Sequence, residues 1–393
     1  MKLSVANRMI TAELFSDIGN QFIGLTLMAI LFFEQSGSLE NLLFLCLIQQ
    51  MPAIVLGPMA GRLIDGIGPK QALLGGMLAK IVCVGGLYLS GARLPTWGLY
   101  LLFMIASLLF YISRLSITPL LIAKDRLINY NAINERVALA AGIAGPFLIG
   151  LLIRHTGSRW ALLLGASMFL CSMLWVLGLP STDHRPSARE TSDTFNGLQR
   201  LYRAYIAPLR DRRVKIWFGL LGVIITTGGL LNFGAPVFNK IFFQGDIAAW
   251  GGFMSAYQAG ACLAAFLLPT LAARMTDRRL VASSFVALAL AFGMLAAFQW
   301  LPLFAMMMMV FGCGSTLVTL FLESRIQRDC TRDRLGRTMA ALSAFRAAGL
   351  LCGILAGVII VKFSGIKLFM ALGAGALVVA TMQTRTMTRS RNN

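Results

Sequence analysis

The sequence predicts an all-α polytopic membrane protein, with twelve spanning helices in two bundles of six joined by a basic linker. Three observations predict it. The 393 residues are 57% hydrophobic and 13% charged, with a mean hydropathy of +0.74, whereas soluble domains carry about 25% charged residues. The apolar residues gather into runs of about 20, the length that crosses a hydrocarbon core of roughly 30 Å as a helix. Short motifs also recur at a near-constant interval between the two halves.

The expected spans of the first half are 9–33, 41–61, 71–90, 97–120, 136–154 and 159–179. The first carries Glu13 and Asp17 and has no small-residue cleavage pattern, so it reads as a span and not as a cleavable signal. After the second comes Gly61-Arg62-Leu63-Ile64-Asp65-Gly66-Ile67-Gly68-Pro69-Lys70. It reads as a tight polar reversal, because glycine permits backbone angles that other residues resist and proline stops the incoming helix. Lys80 lies in the third span and Arg114 in the fourth. Within the fifth lies Ala141-Gly142-Ile143-Ala144-Gly145-Pro146-Phe147-Leu148-Ile149-Gly150.

The longest segment between spans, 181–213, divides them six and six. Its first part, Ser181 to Thr194, is polar without an apolar period and reads as flexible. Its second part repeats apolar residues at Phe195, Leu198, Tyr202, Tyr205 and Leu209 with arginines among them, as an amphipathic helix on the inner membrane face does. The domains are therefore expected at 1–180, 181–213 and 214–393. Spans 214–238, 248–271, 280–300, 302–322, 339–361 and 365–384 follow. The run Met306 to Met309 points all ways around a helix and reads as packing filler.

The two halves are related. Lys124-Asp125-Arg126-Leu127 recurs as Arg332-Asp333-Arg334-Leu335, an offset of 208. The same offset places His155-Thr156-Gly157 opposite Phe363-Ser364-Gly365 and Gly145 opposite Gly353. Gly61 to Asp65 recurs in degenerate form as Ala273-Arg274-Met275-Thr276-Asp277, an offset of 212. Two six-span halves in parallel repeat are the arrangement of a transporter with its site at the repeat interface.

The net charge of +19 would suggest nucleic acid in a soluble protein. Here it reads as cytoplasmic loops facing anionic lipid, with no nucleic-acid partner. With both termini inside, about 26 basic residues fall on the cytoplasmic side and about six outside, as the positive-inside rule requires. The seven cysteines show no metal spacing and no disulfide framework, and no metal site is expected. No G-x-x-x-x-G-K-[ST] loop is present to hold nucleotide phosphates. The two histidines, His155 and His184, do not supply a nucleophile set, so catalysis is not expected and a membrane-embedded enzyme is a remote alternative.

These residues resemble the major facilitator superfamily. Its loop between the second and third spans reads roughly G-x-L-x-D-R-x-G-R-K; Gly61, Leu63, Asp65, Gly68 and Lys70 match, and Gly66 and Pro69 stand in place of arginines. The fifth span is similar to the antiporter motif gxxxGPxxGG at Gly145, Pro146 and Gly150, with Ile149 replacing a glycine. Ile326-Gln327-Arg328 to Leu335-Gly336-Arg337, and Ser36-Gly37-Ser38, resemble the macrolide-efflux and enterobactin-exporter branch. The resemblance implies a proton-coupled exporter of a small organic molecule, a drug-like compound or a siderophore, without a cofactor. It is expected as a monomer in the lipid bilayer of the inner membrane. A nutrient or metallophore importer and a lysophospholipid flippase are alternatives on the same fold. Asp65, with Asp125, Asp277 and Asp333 in the related loops, is expected to act as a conformational latch.

Coupling to protons needs a carboxylate that changes protonation inside the membrane, where charge is costly. Glu13 and Asp17 lie one turn apart on one face of the first span. Asp17 sits roughly 12 Å and Arg114 roughly 9 Å from the cytoplasmic end at 1.5 Å per residue, so either carboxylate can pair with Arg114. Arg114 and Arg346 are candidates for an anionic substrate, with a packing salt bridge as the other reading of Arg346. Asn232, Tyr257 and Gln258 are candidate cavity contacts, with an interhelical hydrogen bond as the plainer reading. Lys80 is expected to snorkel, because the family's third span is peripheral.

Overall fold

The computed structural model describes residues 5–34, 38–90, 95–180, 212–329 and 335–383. Among the described residues every element is helical. The first half gives α1 (Val5–Met28, continued by a π-helical turn at Ala29–Glu34), α2 (Leu39–Ile67), α3 (Pro69–Ser90), α4 (Pro95–Leu121), α5 (Lys124–Thr156) and α6 (Ser158–Leu177). The second gives α7 (Arg212–Phe243), α8 (Ile247–Arg274), α9 (Asp277–Ala297), α10 (Leu301–Asp329) and α11 (Leu335–Gln383), the last broken at Gly365. Eleven stretches are long and apolar enough to cross a membrane. A shorter apolar stretch, Met370–Met382, falls in the expected twelfth span. The chain is a polytopic all-α membrane protein. The proposed amphipathic helix around Phe195–Leu209 lies outside the described residues.

Several helices run further than hydropathy predicts. The polar stretch 61–70 is not a loop: α2 continues through it to Ile67, and the reversal is confined to Gly68. Gly68 has φ 92° and its N–H returns to the Ile64 carbonyl at 2.9 Å, ending the helix. Pro69 does not stop the incoming helix but opens the next one, where its missing N–H costs nothing. Likewise α5 begins at Lys124, well before its apolar run at Arg136–Thr156.

The chain divides into two compact units, Met1–Arg189 with Asp246–Ser255, and Glu190–Gly245 with Ala256–Asn393. In the first, α1 packs on α5 and α6, α3 on α4 and α6, and α2 on α4. Phe103 and Phe169 meet at 5.7 Å in its core. The start of α8 belongs to this unit and lies along α5: the Phe147 N–H donates to Ser255 Oγ at 3.1 Å, and Gly150 leaves room for the backbone of Ile247 and Ala248. In the second unit α7 packs on α11 and α9 on α10 and α11. A side chain at Gly353 would strike the Thr226 carbonyl and Gly229, so that helix pair depends on the absence of a Cβ.

The repeat is visible in the backbone. Leu39 and Ile247, Pro69 and Asp277, and Ser158 and Ile366 stand 208 residues apart, and the first two pairs both open helices. Gly157 (φ 85°) and Gly365 (φ 78°) stand at the same interval, and each reverses the chain in a conformation that disfavours a Cβ. The 212 offset is not kept by the helix boundaries: Asp65 falls in the last turn of α2, whereas Asp277 opens α9.

Gly157→Ala meets open space, so its cost is backbone strain alone, about 1–2 kcal/mol. Gly24→Ala, inside α1 with nothing within 4 Å, is the control and leaves stability unchanged or slightly raised. Thermal unfolding of both variants in detergent checks this difference.

Candidate functional site

The first unit gathers ionisable side chains around one face of α1. Glu13, Ser16, Asp17 and Asn20 follow the three- and four-residue spacing of a single helical stripe. Glu13 is 4% exposed. Its Oε2 accepts from Arg114 Nη1 of α4 at 2.5 Å, and its Oε1 accepts from the Tyr130 hydroxyl of α5 at 2.7 Å. Three helices therefore converge on one carboxylate, both of whose oxygens are occupied. The Arg114 guanidinium also lies 5.2 Å from the centre of the Tyr111 ring, and its side chain is 21% exposed. Asp17 lies in electrostatic range of Arg114.

Tyr130 completes this site, and hydropathy misses it. It precedes the apolar run of the fifth span by several residues, in a segment rich in asparagine that reads as a loop. Because α5 starts at Lys124, Tyr130 is already in helical register and buried against α1. Burial pushes its hydroxyl above the usual phenol range and the Glu13 carboxylate adds to the rise, so it stays a hydrogen-bond donor.

Lys80 does not snorkel. It is wholly buried, and Nζ donates to Ser16 Oγ at 3.2 Å and Asn20 Oδ1 at 3.1 Å. The ring centres of Phe110, Phe169 and Phe103 stand 4.6, 5.1 and 5.9 Å from Nζ. The reason is position: Lys80 lies midway along α3, roughly 15 Å from either end, beyond the reach of its side chain to an interface. Other bonds fix the frame around α1. Ser172 of α6 donates to the Ala12 carbonyl at 2.5 Å, Arg8 to the Gly178 carbonyl, and Lys70 Nζ to the Leu179 carbonyl at the end of α6.

The other candidates are distributed as follows. Gly145 borders Gln21 of α1, and Pro146 and Gly150 face the first turns of α8, so the antiporter-like stretch is a close-packing surface within the first unit. In the second unit Arg346 pairs with Glu323 at 2.6 Å, and its side chain is 51% exposed. Arg325 pairs with Asp277 at 2.5 Å. Tyr257 and Ser315 hydroxyls lie 3.2 Å apart across α8 and α10, Gln258 is half-buried and Asn232 is exposed. Among the described residues no group of three or more metal-ligating side chains occurs. The side chains at Gly61, Asp65 and Asp125, and the whole of Asp333, lie outside the described residues.

Residues 9–350 match the family model described as Major Facilitator Superfamily. Among similar sequences are the enterobactin exporter EntS of Salmonella typhimurium (strain LT2), 25% identical over 60% of this chain, and that of Escherichia coli O1:K1, 26% identical over the same share. The match spans about half the length of those relatives, 55% of each. Among similar solved structures, the nucleoside transporter NupG has a TM-score of 0.73 at 16% identity, covering 97% of this chain and 99% of that one. A POT family transporter in complex with a thioalcohol-conjugated peptide has a TM-score of 0.78 at 13% identity, covering 98% and 96%. These structures share the fold.

Removing Arg114 strands a buried carboxylate, so Arg114→Gln is expected to cost about 3–5 kcal/mol. Tyr130→Phe removes one hydrogen bond to the same charge and costs about 1.5–3 kcal/mol. The double variant Glu13→Gln/Arg114→Gln loses less than the two single losses added, because neither charge is then left alone. Denaturation in detergent, followed by tryptophan fluorescence, measures all three.

Proposed function

The chain belongs to the major facilitator superfamily, and from that premise we propose that it is a proton-coupled exporter of a small organic molecule, working by alternating access. The observation that carries the reading is Glu13, a carboxylate buried within the spanning helices and shared by Arg114 and Tyr130. Ionisable groups at such depth are costly and mark ion or substrate pathways. While ionised, Glu13 accepts one donor on each of its oxygens, Arg114 and Tyr130. Protonation removes the charge that holds Arg114, and the guanidinium turns to a neighbouring acceptor: Asp17 or an anionic group on the substrate. Loss of the proton on the other side of the membrane restores the pair. The proton gradient thus supplies the energy, and the two states differ in the contacts of one arginine, as a coupled conformational change requires.

The similarity to enterobactin exporters supports outward transport and a siderophore as one substrate class, with drug-like molecules as the other. The excess of basic residues in alternate loops supports an inner-membrane location with both termini cytoplasmic. The aspartates of the loops, Asp65, Asp125, Asp277 and Asp333, act in this reading on the conformational equilibrium and not on the substrate. The Asp277–Arg325 pair is the described instance of such a contact.

Deletion of the coding sequence, followed by mass spectrometry of cells and medium, identifies cargo and direction. Export predicts accumulation inside the cell; loss of uptake supports an importer instead. With the cargo identified, Glu13→Gln and Asp17→Asn are expected to lower proton-driven transport at least tenfold while sparing substrate binding. Undiminished proton-driven transport in both would falsify the coupling scheme.

A further inference from the structure

Lys80 is a wholly buried ionisable group of the first unit that this scheme leaves unused. Its direct partners, Ser16 and Asn20, are neutral, and the three phenylalanine rings around it attract the cation without cancelling its charge. A wholly buried ammonium in hydrocarbon is costly unless a counter-charge faces it. The described carboxylates of the first unit can be taken in turn. Glu13 is held by Arg114 and Tyr130. Glu34 accepts from Ser158 at 2.5 Å, at the end of the π-helical turn. Glu40 lies in the first turn of α2, and Asp246 pairs with Arg154 at 3.4 Å. Asp17 adjoins Ser16 on α1 and lies in electrostatic range of Lys80.

We propose that Lys80 is the counter-charge of Asp17, and so a positioning residue for the proton step: it keeps Asp17 ionised and its stripe of α1 against α3 until a proton arrives. The inference rests on the proton-coupled reading for its consequence in transport, but its electrostatic core stands without it. The four charges form two couples on successive turns of α1, Glu13 with Arg114 and Asp17 with Lys80, and together they are neutral. Protonating Asp17 leaves Lys80 with neutral ligands only. That loosens α3 from α1 at the site where the Ser16 and Asn20 bonds join them. The other titratable or charged groups on the helices gathered here are Glu13 on α1, Arg114, Tyr100 and Tyr111 on α4, Tyr130 on α5 and Cys83 on α3. The buried face of α6 contributes Phe169 and Ser172, which do not titrate in this range.

The test is a charge cycle on the full chain in detergent and needs no transported compound. Lys80→Met and Asp17→Asn are each expected to lower the unfolding temperature by about 5 °C or more, and Lys80→Met/Asp17→Asn to recover most of that loss. The sign of the pH response separates charge pairing from mere packing. Acidification neutralises the Asp17 carboxylate, which in Lys80→Met has lost the Lys80 counter-charge, and so raises its stability relative to Lys80→Met/Asp17→Asn; in wild type the same step removes the charge facing Lys80 and lowers stability. Lys80→Arg, which keeps the charge, retains the wild-type sign. Strictly additive single losses, or a Lys80→Met protein whose response to acid matches that of the double variant, overturn the proposal. Failure of the proton-coupled reading shows elsewhere, as undiminished transport in Glu13→Gln and Asp17→Asn, so the two outcomes are distinguishable.

Discussion

The first unit depends on the cost of keeping charge in hydrocarbon. Each intramembrane cation there must be answered within side-chain reach, and the answers lie on one stripe of α1. Glu13 draws α4 and α5 together through Arg114 and Tyr130, while Ser16 and Asn20 draw in α3 through Lys80. Beside that stripe α1 makes closer contacts: Gly19 faces the Phe169 ring, which also borders Lys80, and the Ala12 carbonyl receives the Ser172 hydroxyl. One helix therefore carries an electrostatic side and a packing side. The burial that makes its charges costly also keeps their partners in place.

The spanning segments were legible because bilayer thickness sets a minimum run length that composition cannot disguise. Helix ends were not legible. Gly61 to Ile67 and Lys124 to Glu135 are polar enough to look like loops, yet both are helical. Polarity at a membrane interface reports contact with water and headgroups, and a helix can protrude there without breaking a single backbone hydrogen bond.

For the candidate site, depth was legible and rotation was not. Counting residues from the ends of the first and fourth spans brings Asp17 and Arg114 to similar depth with Glu13 one turn away, and Glu13 is seen paired with Arg114. The same count says nothing about which way a side chain points. Lys80 was expected to snorkel from a peripheral span although it lies midway along α3 and faces α1, and Tyr130 escaped notice because its helix begins earlier than its hydrophobicity does. The candidate residues of the second unit were legible in kind but ambiguous in role, since an arginine such as Arg346 can serve a ligand or a neighbouring Glu323 equally well on paper.

Gly157 and Gly365 share an interval and a backbone conformation, and so do the helix starts that flank them. The charges do not follow that rule: positions 221 and 225, which correspond to Glu13 and Asp17, are Leu221 and Ile225, and Lys80 corresponds to Leu288. The glycines that reverse the chain thus follow the repeat, and the charges on α1 and α3 do not. The chain has the pattern of a duplication whose reversing glycines stand in both copies while these three charges stand in one. That asymmetry leaves the chain reversals common to both halves and the charges of α1 and α3 particular to the first.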